Sequence, residues 1–416
     1  MSKIRPLALA ISLALPAAAM AEESIFHFSG FGTVGVVQTD TNDAQYRNGL
    51  RQPEGADKSA SLDVDSKLGL QVVGKFHPRF SATAQVLVQP DEEGDYKPEL
   101  EWAFAKFDLT PDLSLRGGRI GAPIFLISDF RNVGYANPWA RPPVDVYAQV
   151  PLSTFDGVDL VWRQAVGDNT LTVQPFVGQT DFDLAFDLEG EAKKMVGVNA
   201  TYEIGSLLLR AGYTQIDLTV TSPSIKTLFG AMRTVGQAIP GWSAAADALE
   251  AKDKKASFSG IGATWDDGQL LVQGEYTQRR TESYVEDTNA WYGTVGYRFG
   301  NFMPYVSYAS IETQHDDTAD RLTVPAPTAP CTGAGAVPTQ PICIRGAMMS
   351  AMSGADQSTT SLGVRWNAYK NIALKAQFDR VKNEAGKDNW FTTPTGKPGV
   401  AGKTVNVYSL VADFVF

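Results

Sequence analysis

The sequence predicts an all-β fold: a transmembrane antiparallel β-barrel of about sixteen strands, with short turns at one end and long loops at the other. Two observations predict it. Apolar and polar residues alternate with a period of two in segment after segment, and the connections between these segments are short and long by strict turns. A third narrows the choice, because no run after residue 21 reaches the roughly 18 consecutive apolar residues that a membrane helix needs. The chain is 44% hydrophobic, which excludes a disordered tail, and its net charge of −10 disfavours a nucleic-acid partner.

Residues 1–21 read as a cleaved export signal rather than as structure. Lys3 and Arg5 give a positive start, Pro6 to Pro16 a short apolar core, and Ala19-Met20-Ala21 the small residues at a cleavage site. The remainder, 22–416, reads as one barrel domain that leaves the cytoplasm.

The first strand is expected near 25–39. In 61–76, Leu62, Val64, Leu68, Leu70, Val72 and Phe76 share one parity, and Asp63, Asp65, Lys67, Gln71 and Lys75 the other. After His77-Pro78-Arg79 the pattern resumes, with Phe80, Ala82, Ala84, Val86 and Val88 against Ser81, Thr83, Gln85 and Gln89. The same template gives strands near 99–109, 113–120, 157–166, 170–179, 194–203, 206–217, 256–266, 269–280, 288–299, 301–313, 358–369, 371–382 and 403–416. The strand at 99–109 is ambiguous in parity, because Trp102 and Phe104 oppose Ala103, Ala105 and Phe107.

Short connections fall at 77–79, 110–112, 167–169, 204–205, 267–268, 300 and 370, each with a turn-forming residue. Between them lie longer ones at 40–60, 90–98, 121–156, 180–193, 218–255, 281–287, 314–357 and 383–402. A two-sheet sandwich has no reason for this interleaving. A barrel across a membrane does, with tight turns on one side and extended loops on the other. Lipid cannot satisfy a strand edge, so the sheet must close, and sixteen strands enclose an aqueous lumen. Trp162, Tyr213, Tyr276, Trp291, Tyr297, Phe299, Trp366, Phe378 and Phe414 share parity with the aliphatic, lipid-facing side. In the loop at 218–255, Ile225, Leu228, Phe229, Met232 and Val235 stand at helical spacing, and Ser243 precedes an Ala-rich run to Leu249, so short loop helices are expected.

The last strand carries a specific signal. Tyr408, Leu410, Ala412, Phe414 and the terminal Phe416 alternate outward and end the chain on an aromatic, which resembles the insertion signature of Gram-negative outer-membrane barrels. Phe28-Ser29-Gly30-Phe31-Gly32 resembles the first strand of the Gram-negative general porins, and Leu115-Arg116-Gly117-Gly118-Arg119 their basic fifth strand. The resemblance implies an outer-membrane location, contact with lipid, lipopolysaccharide and the barrel-insertion machinery, a homotrimer, and a loop after strand five folded into the lumen. Here that loop is 121–156. The family's acidic Pro-Glu-Phe-Gly-type motif is absent from it; Ala122-Pro123-Ile124-Phe125-Leu126-Ile127-Ser128-Asp129-Phe130-Arg131 stands there instead, followed by Trp139-Ala140-Arg141-Pro142-Pro143.

Inward parity at mid-strand depth gives Lys67, Arg116, Arg163, Arg210, Arg365 and Lys375 against Asp159, Glu275 and Asp379, a positive wall within an acidic protein. The candidate constriction adds Asp129 and Asp145 against Arg131 and Arg141. A basic wall opposite a mixed loop would set a transverse field on polar solutes; equally, some of these arginines would only pair with carboxylates and hold the loop. The acidic runs Asp91-Glu92-Glu93 with Asp95, and Asp181 to Glu191, read as solvated loops or divalent-cation bridges to lipopolysaccharide. Cys331 and Cys343, in a Pro/Gly-rich segment, read as an extracellular disulfide, worth roughly 3 kcal/mol in the chain-entropy model.

These readings favour a water-filled channel for passive diffusion of small hydrophilic solutes and ions, with no cofactor, no metal and no chemistry. A substrate-selective, anion-preferring channel is the alternative. An enzyme would need its base from three scattered histidines, His27, His77 and His315, or from carboxylates, and an adhesive barrel would need no lumen at all.

Overall fold

The computed structural model describes residues 24–314, 324, 341–351, 356–384 and 390–416. The expected signal at 1–21, together with Cys331 and His315, lies outside them.

Sixteen antiparallel strands close into one barrel in sequence order. They are β1 (Phe26–Thr39), β2 (Lys67–His77), β3 (Phe80–Pro90), β4 (Tyr96–Thr110), β5 (Leu113–Gly121), β6 (Thr154–Val166), β7 (Asn169–Leu184) and β8 (Leu188–Ile204). The second half runs β9 (Leu207–Thr221), β10 (Lys254–Asp266), β11 (Leu270–Thr281), β12 (Thr288–Tyr297), β13 (Phe302–Thr313), β14 (Gln357–Tyr369), β15 (Ile372–Asn383) and β16 (Thr404–Val415). β16 pairs with β1 from Phe31 opposite Val415 to Thr39 opposite Val407, and Gly30 and Phe416 exchange both backbone hydrogen bonds, at 2.9 and 3.0 Å. The closed ring leaves no strand edge to lipid.

The short-turn end is built from residues that tolerate the left-handed backbone. Gly167, Gly205, Gly268, Gly300 and Asn371 all have positive φ there, which tight hairpin turns require. The outward parity is also as expected: Trp162, Tyr213, Tyr276, Trp291, Tyr297, Phe299 and Trp366 are exposed on the barrel surface.

Three segments depart from the sequence reading. The second strand starts at Lys67, not 61; residues 61–66 are a loop that bridges to β1 at Val37 and leaves Leu62 exposed while burying Asp65 and Ser66. Alternation there reflects a loop packed on one side. The connection expected at 180–193 is largely strand, because β7 and β8 continue as a hairpin to a turn at Phe186 and Asp187, both with positive φ. Its acidic residues hid the strand, since carboxylates are tolerated on a ribbon that projects into water. The parity ambiguity of the fourth strand comes from a β-bulge. Gln85 pairs with Trp102 and Val86 with Leu100, so Glu101 is an extra residue and the inward face shifts from one parity to the other.

Two expected loop helices form between β9 and β10: α1 (Pro223–Gly236), capped by the Ser222 hydroxyl, which accepts from Ile225 N at 3.2 Å, and α2 (Trp242–Leu249). Phe229, Met232, Trp242, Ala246 and Leu249 pack together with Ile344 and Met348 of α3 (Pro341–Ala351) into an apolar cap at the long-loop end. Cys343 lies on α3 and is not a free thiol.

Candidate functional site: the loop inside the barrel

Residues 122–153 turn into the lumen and are tied to its wall. Many of the ties run from a wall side chain to a loop backbone group, which fixes the path of the chain. Lys375 on β15 donates to the carbonyls of Gly134 and Trp139, each at 2.7 Å, and pairs with Asp413 on β16 at 2.7 Å. Arg210 on β9 donates to Pro123 O at 2.6 Å and lies 3.4 Å from Glu275 on β11. Glu275 accepts from Leu126 N at 2.8 Å and from the Tyr147 hydroxyl at 3.0 Å. Arg365 reaches Asn137 O at 3.1 Å with its guanidinium over the Tyr135 ring. Gln377 accepts from Ala140 N at 2.9 Å, and Trp139 Nε1 donates to Thr294 at 3.0 Å.

Arg141 is the loop's own anchor. Its guanidinium forks onto Asp65 at 2.8 and 2.6 Å, reaches Asp379 at 3.1 Å and Ser409 at 2.6 Å, and sits over the Tyr46 ring. Burial alone would depress this guanidinium, but the facing carboxylates hold it well above its ordinary value. Asp145 is equally buried and accepts from Gln357 at 3.1 Å; burial pushes its carboxyl up to about 6.

These distances correct the expectation of a basic wall opposite the loop. Arg210, Lys375 and Glu275 lie beneath the loop, nearly inaccessible, and hold it; Arg141 and Asp145 do the same from the loop side. Arg365 serves the loop as well. Arg116 is paired: it forks onto Asp159, with Nε to Oδ1 at 2.9 Å and Nη2 to Oδ2, and Asp159 also accepts from Gln174 at 2.7 Å. The bare parity count of bases over acids also omitted Asp65, Glu101 and Asp413. Asp413 was readable, being on the inward parity of the last strand; Glu101 was concealed by the bulge.

Lys67, Arg131 and Arg163 make no ion pair among the described residues; Arg163 is exposed, and Lys67 and Arg131 are partly buried at the edge of a cavity. Lys67 and Arg131 line a polar cavity of about 140 Å³ with Gln52, Gln89 and Asn132 at the long-loop side. Arg131 and Asn132 also border a gap of about 20 Å³ between Ser128, Asp129 and Val133 of the loop and Phe31, Gln85, Glu101 and Trp102 of the wall. On the short-turn side, Arg163 lines a vestibule of about 640 Å³ with Arg79, Lys106, Asp108 and Arg116. The space on the short-turn side is thus wide and lined by charged groups, whereas Asp129 and Arg131 lie close against the wall at the β4 bulge.

Comparison with solved structures follows this geometry. OmpT of Vibrio cholerae in a trimer form shares 11% identity at a TM-score of 0.53, over 94% of this chain and 99% of that one. The anion-selective porin from Comamonas acidovorans gives 12% and 0.52, over 94% and 99%. The outer-membrane channel DcaP of Acinetobacter baumannii gives 11% and 0.52, over 94% and 97%. The fold is that of the sixteen-stranded outer-membrane porins. No family model and no curated protein matches the sequence. Within this barrel the loop after β5 enters the lumen, and most of its anchors come from the second half of the chain, with Asp65 an exception from the first.

Proposed function

We propose that this chain is an outer-membrane porin, a water-filled channel for passive diffusion of small hydrophilic solutes and ions. The observation that supports the reading is the loop 122–153 tied inside a closed sixteen-stranded barrel, with polar cavities lined by charged side chains on either side of it. Export by a cleaved signal at 1–21, a Cys331–Cys343 disulfide, contact of the acidic loops with lipopolysaccharide, and insertion guided by Tyr408, Phe414 and Phe416 belong to the same proposal. Planar-bilayer recording of the purified protein tests it: ohmic single-channel steps are expected, and a folded barrel that inserts without conducting would overturn it in favour of an adhesive barrel or an enzyme.

A preference for anions is the finer reading. It rests on Lys67, Arg131 and Arg163, inward bases that line the polar cavities without a carboxylate partner among the described residues, and it applies within about a Debye length of the passing ion. A reversal potential under a salt gradient with the cation-selective sign would reject it.

A further inference from the structure

Above the anchored loop, at the long-loop end, lies a second cavity of different character, about 330 Å³ in volume. Its floor is Ile124, Val150 and Leu152 of the loop, and its walls include Phe182, Ile216 and Phe258 from β7, β9 and β10. Such a surface is out of place at the mouth of a path for hydrophilic solutes, where water and ions would gain nothing from it. A cavity of about 150 Å³ with similar lining holds a benzene ring, so this one has room for a ring and a substituent.

The lining is mostly apolar but also carries Gln149, Thr281, Glu286 and Thr288; two of its donors, Arg279 and Trp390, have N–H groups to spare. Arg279 of β11 donates to Glu286 O at 3.1 and 2.9 Å and to Gln149 O at 2.6 Å, yet makes no ion pair among the described residues. Its charge is met by these carbonyl dipoles and, without direct contact, by the nearby carboxylates of Asp287 and Glu286, and two of its five N–H groups remain. Trp390, more than nine-tenths buried, lines the same cavity, and its indole N–H has no acceptor among the described residues. Buried donors without acceptors are costly, and a ligand oxygen would remove that cost.

We propose that this cavity binds small apolar organic acids, a ring or short branched chain carrying one carboxylate, with the apolar body against Ile216 and Phe258 and the carboxylate toward Arg279 and Trp390. The site would concentrate such solutes directly over the constriction loop; that consequence rests on the channel reading, whereas binding itself does not.

Equilibrium dialysis of the full mature chain in lipid nanodiscs, with radiolabelled benzoate, tests it. Saturable binding at least about tenfold tighter than that of acetate is expected, because acetate lacks the apolar body. Arg279→Gln should weaken benzoate by about tenfold and leave benzyl alcohol unchanged, since only the charged contact is lost. Ile216→Trp, which fills the cavity without touching Arg279, should abolish both, with heat-modifiable migration reporting that the barrel is folded. Absence of saturable benzoate binding, equal affinity for acetate, or binding undiminished in a folded Ile216→Trp barrel would each overturn the site; benzyl alcohol binding as tightly as benzoate would overturn its acid preference. A chain that binds benzoate but does not conduct would overturn the channel reading and leave this one standing.

Discussion

Arg116 and Arg163 come from adjacent strands and face the same vestibule, yet substituting them should have different consequences. Arg163 is exposed and unpaired among the described residues, so Arg163→Glu should move the reversal potential toward cations, most strongly at low ionic strength. Arg116 is fork-bonded to an inaccessible Asp159, so Arg116→Glu should instead destabilise the barrel by about 3–5 kcal/mol, readable as a lower thermal transition, because it leaves a buried carboxylate without its cation. Asp145 supplies a pH dependence of defined sign. Its carboxyl is raised from 3.8 to about 6 by burial, with Asp379 adding to the shift. Folding therefore gains from its proton below about pH 4, and this gain is lost as pH rises through 6. Asp145→Asn should be more stable than the parent at pH 7, by about 1–3 kcal/mol, and the difference should vanish near pH 4 in thermal unfolding.

The loop at 122–153 is held by a lattice of wall side chains on its carbonyls, and one backbone position shows how little slack it has. A Cβ added at Gly134 would lie 2.0 Å from Asp413 Oδ1 and 2.6 Å from Thr33 Oγ1. Gly134→Ala should therefore displace the loop from Lys375, raising single-channel conductance and its fluctuation without dissolving the barrel. The strands were legible because two physical signals repeat, the side-chain period and the turn chemistry, and neither depends on distant partners. The loop's position after β5 was legible only through likeness. Its anchoring was not legible, because parity says that Arg210 and Lys375 face inward but cannot say that chain from elsewhere lies over them. The bulge at Glu101 and the projecting β7–β8 hairpin were hidden for local reasons: an extra residue resets parity, and charge mimics a loop. The apolar cavity left no trace either, since Leu50, Val150, Ile216 and Trp390 come together from four separate segments.

On the outside, β3 and β4 present Ala82, Ala84, Ala103 and Ala105 in adjacent registers among larger apolar side chains, a shallow face suited to close packing against another copy. If the trimer forms through this face, Ala84→Trp should yield folded monomers, detected as a loss of the high-mass band in native gels with heat-modifiability retained. The ties that hold the internal loop also depend on closure of the barrel. The loop is made directly after β5, yet Arg210, Glu275, Gln377, Ser409 and Asp413 lie 57 to 260 residues beyond Ser153 in the sequence, and the last two belong to the closing strand. The loop's full set of ties therefore exists only in the closed ring: an open sheet that lacked its last strand would hold the same loop by Asp65, Arg210 and Glu275 but without Ser409 and Asp413.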